Sequence, residues 1–410
     1  MTTRFANPMR MHRQTTARRD SRRNGTILPG LAVALVVAIC LLALVLDKLW
    51  LDAARTELCT SAEAAALAAA RELVHEDLLS EEDDPADRIQ SARRRAAEAA
   101  WKNSVAGRPV ELDSSPGGDI RFGRLVVDPD SGVTRFLQAE VNPRTARVTA
   151  SRQRSRGNPI ALWFRGITGH AEGDAVYRAE ASVNNQILGV KPFAGVPVPA
   201  LPLAILECDP TGNRTDTWEA QIIHRQGQDA YRFNEETGQV EPGQDGIPEI
   251  HLHSKKDEES ATEANLQLID LNTGLRTGPL LEQFETGWTA KCLKECGGEL
   301  VFHSGSVWLT SLAALDEDHA DGLKRLIGKP RICLLYADLE PAGKGGYGKL
   351  LAVNLVAGRI MAVDCFEGRH VIVLQPTVLT TRTAVLTNTH SPQKQKLLEN
   401  PYIYKLHLTR

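Results

Sequence analysis

The stretch "RRNGTILPGLAVALVVAICLLALVLD" spans residues 22–47, and three readings compete for it: a cleaved signal peptide, a retained membrane helix, or a buried core helix. From Ile27 to Leu46 there are twenty residues without a charge. At about 1.5 Å per residue, a helix of that length matches the ~30 Å hydrocarbon layer. A core helix in a soluble domain seldom stays apolar on every face for so long. A secretory signal needs an apolar region of only ~7–15 residues, closed by small residues in an A-x-A-like arrangement. This run is longer, and it exits into "LDKLWLDAAR" (46–55), which lacks that arrangement. Pro29 and Gly30 fall in the first turn, where a missing N–H costs little. A retained anchor over 27–46 is the expectation.

The flanks give its direction. Arg4, Arg10, Arg13, Arg18, Arg19, Arg22 and Arg23 precede the run and only Asp20 opposes them, whereas Asp47, Lys48, Asp52 and Arg55 balance just beyond it. The positive-inside rule then holds segment 1–26 in the cytoplasm of a bacterial inner membrane and exports the rest. The arginine cluster reads as a topology signal rather than a nucleic-acid site, since Phe5 is the one Phe, Tyr or Trp among those arginines for stacking. Taking those arginines and Asp20 from the totals of 48 basic and 51 acidic residues leaves 41 and 50, a net of −9. So acidic an exported part argues against nucleic acid and against an anionic membrane surface as its partner.

Beyond the span, "LDKLWLDAARTELCTSAEAAALAAARELVHEDLL" (46–79) holds no Gly or Pro and is rich in strong helix formers. The membrane helix is expected to run on as one Ala-rich rod, the first part of a helical stalk over 47–106. Leu58, Ala62, Ala65, Ala69 and Leu73 recur at three- and four-residue steps, a narrow stripe that lets a second helix approach closely. The competing reading is helix propensity with no partner at all. After a break at "SEEDDPAD" (80–87), a second helix is expected in "ADRIQSARRRAAEAAWKNS" (86–104).

The N-terminal segment resembles that of the TadE/TadG-like proteins of Flp pilus (tight adherence) assembly. The likeness rests on Arg22, Arg23 and Gly25, the apolar span, Asp47 at its outer end, and "SAEAAALAAA" (61–70). Weaker likeness continues in "GNPIALWFRGITGHAEGDAVYRAEAS" (157–182), and the C-terminal strands look similar to long TadG-like proteins of planctomycete-type bacteria. The resemblance implies contacts with other pilus-assembly or pilin-like membrane proteins. In those relatives that a prepilin peptidase cuts, a Glu stands five residues after the cleavage-site glycine; here that place is Gly30, which favours a retained anchor. The metal motif of a von Willebrand A domain is broken in "ELDSSPGGD" (111–119).

The remainder reads as a β-rich body, so the fold class is α+β. "GDIRFGRLVVD" and "TRFLQAEVN" flank a "PDSG" turn, and "ARVTASRQR" and "AVYRAEASV" complete a β-rich domain over 107–190. A Pro-rich passage over 191–215 is expected to be a linker. A second β-rich domain over 216–410 begins with the strand-like "TWEAQIIHR", "AYRFNEE", "IPEIHLHS" and "NLQLIDL". Helices are expected near Leu275–Phe284 and Ser311–Ile327, and strands close the chain.

Chemistry is harder to find. "GKGGYGK" (343–349) has most of a phosphate-loop spacing, but Leu350 stands where Ser or Thr would hold Mg²⁺ and a strand-like run follows. His251 and His253 share a strand face, and a zinc site would need His224 or His303 as well. Cys292 and Cys296 are possible disulfide cysteines, although two cysteines one helical turn apart seldom meet bridge geometry. There is no G-x-S-x-G elbow. No catalytic, cofactor or metal residues are assigned, and no cofactor is expected. The expectation is a non-enzymatic membrane protein of pilus assembly or structure, with Asp47, Leu58, Ala62, Ala65 and Ala69 as partner contacts. The alternatives are a tethered periplasmic binding module and a metal-dependent envelope hydrolase.

Overall fold

Small side chains decide how the first helices pack. The computed structural model describes residues 27–81, 84–128, 131–254, 263–340, 347–366, 369–387 and 399–409. The basic segment 1–26 therefore lies outside the described residues. Helix α1 is continuous over Ile27–Glu72. The expected rod stops there, because His75 takes an extended backbone and its ring caps a 3-10 turn, Glu76–Leu79. The chain forms an α+β fold of two bodies. One holds residues up to Ala54 with Arg152–Ala175, the other Arg55–Ser151 with Val176–Arg410.

In the first body the long apolar helix is joined by a hairpin in which Ile160–Ala161 pairs antiparallel with Glu172–Gly173. A one-turn helix, Arg165–Thr168, forms the hairpin's tip.

In the second body helix α2, Pro85–Trp101, starts where Asp84 accepts the Ala86 N–H at 2.8 Å, with Pro85 at the first helical position. It runs antiparallel to α1: Arg95 faces Glu72 at 3.8 Å, and beyond its far end the Ala106 N–H donates to Glu57 Oε2 at 2.8 Å. Ala92, Ala96 and Ala100 are fully buried, as are Leu58, Ala62, Ala65 and Ala69 on α1. The principal strands are, in chain order, β1 (Ile120–Val127), β2 (Thr134–Gln138), β3 (Thr145–Arg152), β4 (Ala175–Asn184), β5 (Ala200–Leu206), β6 (Ile250–His253) and β7 (Leu266–Ile269). They continue with β8 (Val307–Leu312), β9 (Pro330–Glu340), β10 (Tyr347–Phe366), β11 (Arg369–Pro376), β12 (Leu379–Thr380) and β13 (Ile403–Leu408).

One sheet has the order β12-β13-β4-β3-β1-β2, with Lys405 of β13 opposite Asn184 of β4. Arg93 of α2, 2% exposed, donates to Ile120 O and lies over the Phe122 ring, tying that helix to the sheet. The other sheet has the order β6-β11-β10-β8-β7-β5-β9, and β9 pairs again with β10. Five strands thus close into a ring, which removes two edges that would otherwise stay unpaired. Helices α3 (Thr277–Thr286) and α4 (Glu317–Lys324) contribute Leu280, Phe284 and Leu323 to its core.

Three expectations differ from this outcome. Within the passage expected to be a linker, Ala200–Leu206 is strand β5, buried along its whole length. Pro202, which has no N–H to give, sits where the pairing with β9 skips from Ala200 to Ala204. "TWEAQIIHR" is no strand: Glu219–Ile223 is a π-helical turn that buries Trp218 and Ile222, four residues apart. Ser311 belongs to β8, and α4 begins only where Asp316 accepts the His319 N–H at 2.8 Å.

A buried acid gives this body a pH dependence. Glu249 is fully buried and accepts the Ala230 and Tyr231 N–H groups, both at 2.9 Å. Burial, reinforced by Asp229 and Asp245, outweighs those donors and pushes its pKa up to about 7. The native state then keeps a proton that the unfolded chain releases near 4.5, so stability falls as pH rises from about 4.5 to about 7. Urea midpoints in detergent are expected to decline across that window, and Glu249→Gln to flatten the decline.

Candidate functional site

Asp47 is the first charge after the apolar run, and a bare carboxylate at a hydrocarbon boundary is costly. It is 5% exposed. Its Oδ1 accepts the Trp163 N–H at 2.9 Å and the Phe164 N–H at 3.2 Å, and the Thr168 hydroxyl donates to Oδ2 at 3.4 Å. These amides belong to the two residues just before the one-turn helix Arg165–Thr168, so the carboxylate fixes the entry to that turn through charge-assisted hydrogen bonds supplied from α1. One turn further on, Trp50 Nε1 donates to Ala161 O at 3.1 Å, and the Trp50 and Trp163 ring centroids lie 5.0 Å apart. Leu51 presses on Gly173, where an added Cβ would come within 2.9 Å of Leu51 Cδ1. Arg154 clips the base of the hairpin through Glu172 O, and its N–H donates to Asp174 Oδ1. A single helical turn of α1 thereby holds the whole 160–173 hairpin.

This placement corrects the role expected of Asp47. Its carboxylate is 5% exposed and is taken up by the chain's own Trp163 and Phe164 amides and the Thr168 hydroxyl. The stripe of Leu58, Ala62, Ala65 and Ala69 needs the same correction. All four are 0% exposed, in the part of α1 that runs antiparallel to α2, so no second protein can dock on them. The small residues do mark a buried face of α1, but one buried inside the chain.

Cys292 and Cys296 carry free thiols, both half-buried against the core. They lie in a turn and a short 3-10 helix rather than on a regular helix, and Cys292 Sγ is 3.1 Å from the Thr289 hydroxyl. Burial pushes the Cys296 thiol up. His251 and His253 do lie outward on β6, but His253 Nε2 faces Asp216 at 3.3 Å and His224 faces Glu219 at 3.7 Å. Among the described residues no group of three or more His, Cys, Asp or Glu converges as metal ligands. Residues 343–346 of the glycine-rich loop lie outside the described residues, and Tyr347–Leu350 begin β10. A cleft of about 550 Å³ in the second body is lined by Arg71, Arg95, Lys102 and Arg359, of which Arg95 pairs with Glu72 and Glu98, and Arg359 with Glu76.

Sequence reasoning missed Trp50, Trp163, Phe164 and Thr168. The signal lay in "ALWFRGIT" (161–168), an aromatic and apolar cluster between polar stretches. Nothing in its local pattern ties it to a helix more than a hundred residues earlier. Residues 25–72 match the family model of putative Flp pilus-assembly TadE/G-like proteins. No curated protein and no solved structure matches the chain.

Proposed function

We propose, from the TadE/G-like segment at residues 25–72, that this chain is a single-pass membrane protein of a Flp/Tad-type pilus apparatus. It acts in assembly or structure and performs no chemical step. The observation that carries this reading is the coincidence of the family match with α1, which begins at Ile27 and ends, like the match, at Glu72. Segment 1–26 lies in the cytoplasm and the β-rich body on the other side of the membrane, in keeping with the arginines that precede the span.

With the alanine stripe consumed inside the body, contacts with other pilus membrane proteins fall to the outward faces of the span. Leu35, Val36, Leu41 and Leu42 are all more than half exposed there. A photo-crosslinking residue at position 35 or 42, used in cells, is expected to trap other membrane components of pilus assembly. If the protein is abundant and only lipid is trapped, the assembly role fails, and a tethered binding module becomes the better reading.

A further inference from the structure

The hairpin held by Asp47 sits at the C-terminal end of the apolar run. Ala43, one turn to the membrane side of Asp47, is 3% exposed, while its neighbours Leu42 and Leu44 are 58% and 50% exposed. The hairpin is the other described segment of this body, and Asp47, one turn further along α1, is bonded to it. At the same level the hairpin turns large apolar side chains outward: Trp163 is 63% and Ile167 46% exposed. Arg165 and His170 are exposed beside them.

Most of its backbone donors are met within the chain. The Leu162 N–H donates to Ala171 O, those of Trp163 and Phe164 to Asp47, those of Ile167 and Thr168 to Phe164 O, and that of Gly169 to Arg165 O. Trp50 satisfies the Ala161 carbonyl. A loop in water has no need of such provision, because water meets its amides. Backbone at the edge of hydrocarbon does need it, since each unmet group there costs several kcal/mol. Tryptophan side chains collect at this level because one end of the ring is apolar and the other can donate. A guanidinium beside them suits the phosphates of lipid headgroups.

We infer that residues 160–173 form a second membrane contact, lying in the interfacial layer beside α1 with Trp163 and Ile167 in lipid and Arg165 at the headgroups. The inference rests on the membrane placement of residues 28–46, and not on a role in pili.

The test uses the full chain in vesicles of phosphatidylethanolamine and phosphatidylglycerol. An environment-sensitive fluorescent residue is placed at 167, at 36 in mid-span, or at 127 on β1, and the acyl chains carry bromine either near the headgroups or deep in the bilayer. The probe at 167 is expected to lose roughly half its emission to the shallow bromines and less to the deep ones, as an interfacial side chain does. The probe at 36 should respond most to the deep bromines, and the one at 127 to neither. A silent probe at 167 beside a quenched one at 36 overturns the inference and leaves the anchor standing. Silence at both positions overturns the membrane placement and the inference with it. A probe at 163 repeats the reading from the other exposed side chain, should substitution at 167 disturb the turn.

Discussion

Replacing Glu76 by Ala is expected to lower the melting temperature of the full chain in detergent by roughly 6–10 °C. Glu76 opens the 3-10 turn after α1 and takes both arms of the Arg359 guanidinium, at 2.9 and 2.6 Å. Arg359 is 5% exposed on β10, its guanidinium carbon lies 3.6 Å over the Phe233 ring, and the Thr377 hydroxyl also donates to Glu76. Removing the carboxylate leaves a largely buried cation at the wall of the cleft without its partner, and it cannot shed its proton, because an arginine stays charged. Breaking a buried pair in this way costs about 3–5 kcal/mol, whereas replacing both partners by apolar groups is often near neutral. The double variant Glu76→Leu, Arg359→Leu should therefore recover much of the loss. A shift under about 2 °C in the single variant, or a double variant worse than the sum of the two singles, would show that the pair contributes little.

Asp47→Ala is expected to release the 160–173 hairpin. Two backbone donors lose their acceptor, at about 1–3 kcal/mol for each buried donor left unmet. Amide exchange across Leu162–Gly169 should then quicken on the order of a hundredfold, while the Glu76–Arg359 contact and the melting of the second body stay as they were. Asp47→Asn keeps one carbonyl oxygen and should fall between the two. Hydrogen exchange by mass spectrometry in nanodiscs reads both variants. Unchanged exchange in the alanine variant would mean that Trp50 and Leu51 hold the hairpin without the carboxylate.

How much of this was legible in advance follows from the range over which each signal acts. The membrane span is a property of composition: twenty uncharged residues announce themselves whatever surrounds them. Strand β6 was legible for a similar reason, since Ile250 and Leu252 point inward while His251 and His253 alternate outward. The alanine stripe was only half legible. Its spacing says that something packs closely against α1, but the stripe is buried inside the chain, where α2 runs alongside, and spacing carries no information about whose chain arrives. Asp47 was legible as a special position and not as a contact, because its amides lie 116 and 117 residues away. Strand β5 was hidden by its own proline: Pro202 marks a break under any local rule, and only the irregular pairing with β9 shows how a central strand accommodates it.

The place of β13 has a consequence for how such a chain is made. Residues 403–408 fill the position between β12 and β4, in a sheet whose other strands begin at Ile120. In order of synthesis β4 emerges early, and its unsatisfied edge waits through the whole interval from Asn184 to Ile403. Such an edge is a template for any passing strand. Maturation of this sheet is therefore a late, long-range event, and the slowest part of biogenesis is also the most exposed to aggregation. A pause or truncation upstream of Ile403 would leave an intermediate with the long apolar helix made and the sheet without its closing strand.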